Sequence, residues 1–309
     1  MGSKTAAYII KRIILSLVTI WVVMTVTFFV MHLIPGGPFT SEKAVSPSVQ
    51  AAMEAKYGLD KPLLVQYGTY MKDIITKFDF GPSIKQKGRQ VIDIIFDGFK
   101  TSFKLGLIAA AWGAMVGVVL GAVAALKRNT VIDRIIMVIA TAFISMPGFI
   151  VGSLMLLIFA VQLRWVPANG STGAGLILPI IALGLSPMAN ITRLTRSSML
   201  DVLGQDYIRT ARAKGVSSTK TIFGHALKNA LIPVITYIGP MLAYIVTGSL
   251  VIEQIFAVPG IGRYFVSSIV NRDYPMVMGT TIVLAVLIVI MNLISDILYK
   301  VVDPRIDLQ

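Results

Sequence analysis

Long apolar runs separated by short polar ones dominate this chain. Six of them approach or exceed the roughly 20 residues that a helix needs to cross a ~30 Å hydrocarbon core: 13–33, 105–126, 135–163, 176–191, 231–252 and 277–298. The fourth is short and is interrupted by Pro179, Gly184 and Pro187. The first follows Lys11 and Arg12, as a signal peptide would, but it is too long and ends in HLIPGGP with no A-x-A cleavage site. It is expected to stay as an anchor. The pattern predicts an all-α polytopic membrane protein with six transmembrane helices. Residues 1–34 form a tail and the first helix, 35–100 a small external segment, and 101–309 a five-helix core.

The polar gaps orient the spans, because Lys and Arg accumulate in short cytoplasmic loops. Lys4, Lys11 and Arg12 precede the first span; Lys127, Arg128 and Arg134 lie between the second and third; Lys300 and Arg305 follow the sixth. Seven basic residues fall between Arg193 and Lys228, whereas the alternate short loops hold only Arg164, then Arg263 with Arg272. Both termini are therefore expected in the cytoplasm. The nine basic residues of 35–100 do not alter this, since long exported segments escape the rule.

Composition agrees with a bilayer: 55% of the 309 residues are hydrophobic, only 14% are charged, and mean hydropathy is +0.79. The net charge of +13 is explained by loop placement, so nucleic acid is not an expected partner. Without Cys the chain has no disulfide, thiolate or Cys-metal chemistry.

Little else in the chain suggests chemistry. VQAAMEAKYG and LLVQYGTYMKDIITKF in the external segment have helical periodicity, and DFGPS breaks it. Asp79, Phe80 and Gly81 spell a kinase-like DFG, but no Gly-rich loop, HRD or strand Lys accompanies it. No Walker A loop occurs, so the chain is not expected to hydrolyse ATP itself. Only Glu253 and Asp296 among the acids touch a span, both near ends that water is expected to reach, which argues against a proton relay. His32 and His225 form no paired metal site. The membrane part reads as a conduit driven from outside itself.

Gly113, Gly117 and Gly121 leave one face of the second span without side chains. That face suits close packing against another helix, within this chain or in a second subunit. Pro147, Pro187 and Pro240 lie inside spans three to five, as packing kinks or as shapers of a path. Ser145, Asn190, Thr236 and Tyr237 are polar groups near those kinks and are not assigned as ligands.

The basic loop at about 193–230 is more ordered than a topology signal requires. QDYIRTARAK predicts a helix ending at Gly215, and Ser217 or Ser218 can cap a second helix through TKTIFGHALKNAL. The small residues Thr210, Ala211 and Ala213 suit insertion into a partner's groove. His225 reads equally as a polar helix-surface residue.

RTARAKG followed by HALKNALIP resembles the EAA loop of ABC importer permeases. Gly215 takes the turn position, Ala211 the second Ala, and Ile232 with Pro233 the closing pair, while Arg209 and Thr210 replace the Glu and first Ala. The family's Glu contacts therefore do not transfer to Arg209. The resemblance extends along the whole chain: the opening span, RWVPANG, EQIFAVPGIGRYFVSSIVNRDYP and the DPR of Asp303, Pro304 and Arg305 are similar to the first permease subunit of oligopeptide importers. PGGP after the first span, rather than the PGDP of dipeptide and nickel relatives, favours the oligopeptide branch, a permease for dipeptides, nickel or glutathione being the alternative.

The resemblance implies a type I ABC importer permease in a bacterial inner membrane. Its implied partners are a second homologous permease, two cytoplasmic ATPases docked on the EAA loop, an extracytoplasmic peptide-binding protein and the lipid bilayer. It implies no cofactor of its own, ATP and Mg²⁺ being held by the ATPases. The outer loop with Pro259, Gly260 and Arg263 is a candidate contact for the binding protein, or a re-entrant segment packed on the permease. A secondary carrier or channel would call for charged groups at membrane depth or matched inverted halves. A non-transporting scaffold would tolerate disruption of the loop.

Overall fold

The computed structural model describes the backbone of residues 3–34, 37–39, 47–171 and 173–302, and side chains within 11–34, 37–39, 48, 50–171 and 173–294. Among these every regular element is a helix, and one isolated β-bridge joins Pro82 and Gln90. The helices are α1 (Ser3–Leu33), α2 (Pro47–Lys56), α3 (Leu63–Lys77), α4 (Val91–Leu126), α5 (Val131–Ser145), α6 (Gly148–Met155), α7 (Ile177–Leu203) and α8 (Asp206–Ala213). They continue as α9 (Ser218–Lys220), α10 (Lys228–Ala230), α11 (Ile232–Val246), α12 (Leu250–Ile255), α13 (Ile261–Val270) and α14 (Tyr274–Val302). π-helical turns extend α6 through Leu156–Gln162 and join α9 to α10 through Thr221–Leu227.

Five stretches are single helices or near-continuous pairs long and apolar enough to cross a membrane. The sixth, Val131–Ser145 with Gly148–Gln162, bends by 106°. The 135–163 run was expected to be one kinked span; Met146 and Pro147 instead break it, because Pro147 has no N–H to continue the helix. The 176–191 run proves longer than its hydropathy suggested, since α7 passes through Pro187 and gains a polar extension to Leu203. The second span begins at Val91, well before the expected 105, because VIDIIFDGFK continues the same helix.

The chain divides into two compact units. The first comprises Met1–Lys100 and Gly260–Val289. Its core gathers Phe28 and Met31 of α1, Met71 and Ile74 of α3, Phe80, Ile94 of α4, and Ile261, Met278 and Ile282. The DFGPS break folds as a turn: Gly81 has φ +80°, its N–H donates to Asp79 Oδ1 at 2.8 Å, and Phe80 turns inward. Asp273 joins distant segments of this unit. Its carboxylate accepts the Ser83 hydroxyl, the N–H groups of Ile84 (3.1 Å) and Lys85 (3.2 Å), and the Met276 N–H at 3.4 Å. It thereby caps α14 and holds the 83–85 loop.

The second unit comprises Thr101–Pro259 and Ile290–Gln309. Two apolar clusters run along it, one around Leu178, Ile252 and Phe256, the other around Ile191, Val234 and Met241. Glu253 is fully buried rather than water-accessible. The Ser102 hydroxyl (2.7 Å) and the Ser249 N–H (3.2 Å) donate to its carboxylate. Ser249 Oγ in turn accepts from the Ile252 N–H, so the start of α12 is held by a reciprocal cap. Asp296 and the DPR residues 303–305 lie outside the side chains described.

Candidate functional site

The basic loop folds as a helix, a Gly turn and a second helix. In the first, α8, the Gly215 N–H donates to Arg212 O (3.0 Å) and the Val216 N–H reaches back to Ala211 O (3.2 Å). Those two bonds form a Schellman motif, which requires a left-handed residue between them; Gly215 supplies it at φ +75°. Ser217 occupies the N-cap position of the next helix, as expected, but its side chain makes no cap hydrogen bond there.

The loop is seated by its apolar side and exposed on its basic side. Ile208, Ala226 and Ala230 are buried against Met199 of α7 and Ala125 of α4. Asn229 Nδ2 donates to the Tyr207 hydroxyl at 3.1 Å, tying the second helix to the first. Arg209, Thr210, Arg212 and Lys214 face outward with Gly215, while Ala211 is half-buried. Among the described residues Arg209 reaches only the exposed Asp206, at 3.5 Å, and Thr210 Oγ1 bonds back to Asp206 O. Phe223 and Tyr207 add exposed aromatic area to the loop. His225 is half-buried in the π-helical turn, and exposed Ile232 and Pro233 open α11. The result is a cationic ridge, seated on its apolar side, with one bare backbone turn.

The glycine stripe of α4 lies against α7 of the same chain. A Cβ at Gly113 would stand 2.7 Å from Gly184 O, at Gly117 2.7 Å from Met188 O, and at Gly121 2.5 Å from Thr192 O. Backbones therefore touch over two turns, an approach that only Gly allows. Trp112 Nε1 donates to Ile180 O at 2.9 Å beside the stripe.

Pro259 is half-buried, Gly260 is a buried N-cap with extended backbone, and Arg263 is half-buried in the first turn of α13. Asn190 and Thr236 bond back to carbonyls of their own helices, at Ser186 O and Ile232 O.

One pair escaped sequence reasoning. Arg196, one of the seven basic residues that the charge pattern counts between Arg193 and Lys228, grips Asp133 of α5 with both arms: Nε to Oδ1 at 2.6 Å and Nη2 to Oδ2 at 2.8 Å. Asp133 is buried and also accepts the Asn129 N–H at 3.0 Å. The residues are 63 positions apart, so no local pattern links them; the available signal was an acid beside a basic residue at the mouth of a span.

Residues 117–308 match the family described as binding-protein-dependent transport system inner membrane component, and residues 5–105 match its N-terminal family. The chain belongs to this family of transport permeases. It is 51% identical to a dipeptide transport system permease protein of Bacillus subtilis, covering 98% of each chain. It is 45% identical to an oligopeptide transport system permease protein of Haemophilus influenzae and 44% identical to one of Escherichia coli, in both cases over 97% of this chain and 98% of the relative. A chain of the inward-facing MetNI methionine ABC transporter shares the fold, with TM-score 0.55 at 18% identity over 68% of this chain and 97% of that one. The architecture is thus that of an ABC importer permease. The first match takes in Gly117, Gly121 and the whole basic loop, and the N-terminal match ends inside α4.

Proposed function

We propose that this chain is the permease subunit of an ATP-driven importer of peptides and that the basic loop is its coupling element. The mounting of α8 carries the reading: a helix seated by Ile208 and ending at a bare glycine turn presents a rigid surface to a partner. Two ATPases on the cytoplasmic side would bind that surface and hold the ATP and Mg²⁺, for which this chain has no Walker A loop. A second permease would complete the path, and an extracytoplasmic binding protein would deliver the peptide. The loop segment around Pro259, Gly260 and Arg263 is the proposed contact for that protein. ATP-driven closure would then bias a two-state arrangement of the spans.

Two substrate readings have distinct support. PGGP after the first span favours oligopeptides, whereas the 51% identical relative is a dipeptide permease. Uptake of a labelled dipeptide and a labelled pentapeptide by the reconstituted complex separates them; oligopeptide specificity requires the pentapeptide to win.

Gly215→Trp tests the coupling assignment. The bulky ring is expected to leave the chain inserted, release the ATPases and abolish uptake. Normal uptake by this variant would overturn the assignment.

A further inference from the structure

α7 leads directly into the loop that carries α8, and α5 is the first half of the broken span. Asp133 and Arg196 join those two helices. The contact is bidentate, so it resists rotation of one helix about the other as well as separation. A third bond, from the Asn129 N–H, fixes Asp133 on the first turn of α5, where a carboxylate also complements the helix dipole. On the other side, a Cβ at Gly121 would stand 3.1 Å from Arg196 N, so α4 backs the arginine's own backbone. Asp133 is buried and Arg196 partly exposed; such an ion pair adds little net stability over apolar packing, but it can fix one geometry. α5 is 15 residues long, a rigid arm of about 22 Å that ends at the Met146–Pro147 break.

We propose that the Asp133–Arg196 pair is a positioning strap: it makes α5 follow α7, so that movement of the basic loop reaches the break in the third span. This rests on the coupling reading above and assigns the path by which the motion travels. Neither residue need meet peptide or nucleotide.

The test uses the complete transporter in proteoliposomes, with peptide uptake and ATP hydrolysis measured together. Because the chain has no cysteine, the double variant Asp133→Cys/Arg196→Cys places two unique thiols at the strap. Unlinked, it is expected to insert and retain the ATPases on co-purification, while peptide moved per ATP falls by about tenfold, within the usual range of coupling effects. Linking the thiols with a short bifunctional reagent should restore most of that ratio. Arg196→Lys, which keeps the charge but loses the fork, should lie between. A wild-type ratio in the unlinked variant overturns the strap. So does a loss that linking leaves unchanged, or one that only tracks the amount of inserted protein. Failure of the wild-type chain to retain ATPases would instead overturn the coupling reading.

Discussion

At Gly215 a Cβ would meet nothing within 4 Å, so replacing this glycine costs conformation and not space. Its φ of +75° penalises an L-residue by roughly 1–2 kcal/mol. Gly215→Ala should therefore lower the thermal midpoint modestly in detergent, and Gly215→Asn less, because Asn tolerates the left-handed region. Equal losses for Asn and Ala would mean that the turn's conformation is not what matters. Tyr70 poses a different problem: its hydroxyl is buried and has no hydrogen-bond partner among the described residues. Burial, helped by nearby Asp79, pushes its pKa well above the ordinary value of about 10. The fold favours the neutral phenol, so the stability linked to it is complete below about pH 10 and declines as pH rises past that value. Tyr70→Phe removes the orphan hydroxyl. It should be neutral or stabilising by up to about 1 kcal/mol near pH 8, and should flatten the alkaline loss of stability. A large destabilisation of Tyr70→Phe near neutral pH would show that the hydroxyl has a partner.

Helix contacts distinguish glycines that the sequence treats alike. At Gly121 an added Cβ would lie 2.5 Å from Thr192 O and 2.6 Å from Thr195 Cβ, and a helix backbone cannot easily give way. Gly121→Ala should therefore push α4 and α7 apart and cost about 1–3 kcal/mol or more. At Gly148, the first residue of α6, the same Cβ would meet nothing within 4 Å, and Ala should be neutral or helpful by up to about 1 kcal/mol. Parallel thermal unfolding of the two variants checks the contrast; similar behaviour would contradict the α4–α7 packing. The glycine stripe was legible because a four-residue period is local, and so was the turn at Gly215. The break at Met146–Pro147 was not, since one proline can either kink a span or end a helix, and tertiary packing decides which. Glu253 and the Asp133–Arg196 pair were illegible for a related reason: their partners, Ser102 and a residue 63 positions away, lie far off along the chain.

The bent pair α5–α6 decides the topology of the whole chain, because a 106° bend is compatible with one broken span or with a re-entrant hairpin. The loop charges discriminate between them. If the pair crosses, the N-terminal cations, Lys127 with Arg128, and the seven basic residues from Arg193 to Lys228 all share one side. If it returns to the side it left, α7 runs the opposite way, and those seven face outward while Arg164 faces inward. The positive-inside rule favours the crossing, since each misplaced Lys or Arg near a span end counts against insertion. A Cys-free chain allows this to be read directly from single introduced cysteines. Asn129→Cys and Lys214→Cys should react with a membrane-impermeant maleimide only after the membrane is opened, and Ser171→Cys and Asp60→Cys in intact cells. Ser171 precedes α7 and Lys214 follows it, at the end of α8, so this pair carries the decision. Labelling of Lys214→Cys from outside would establish the hairpin and remove the proposed coupling loop from the reach of any cytoplasmic ATPase.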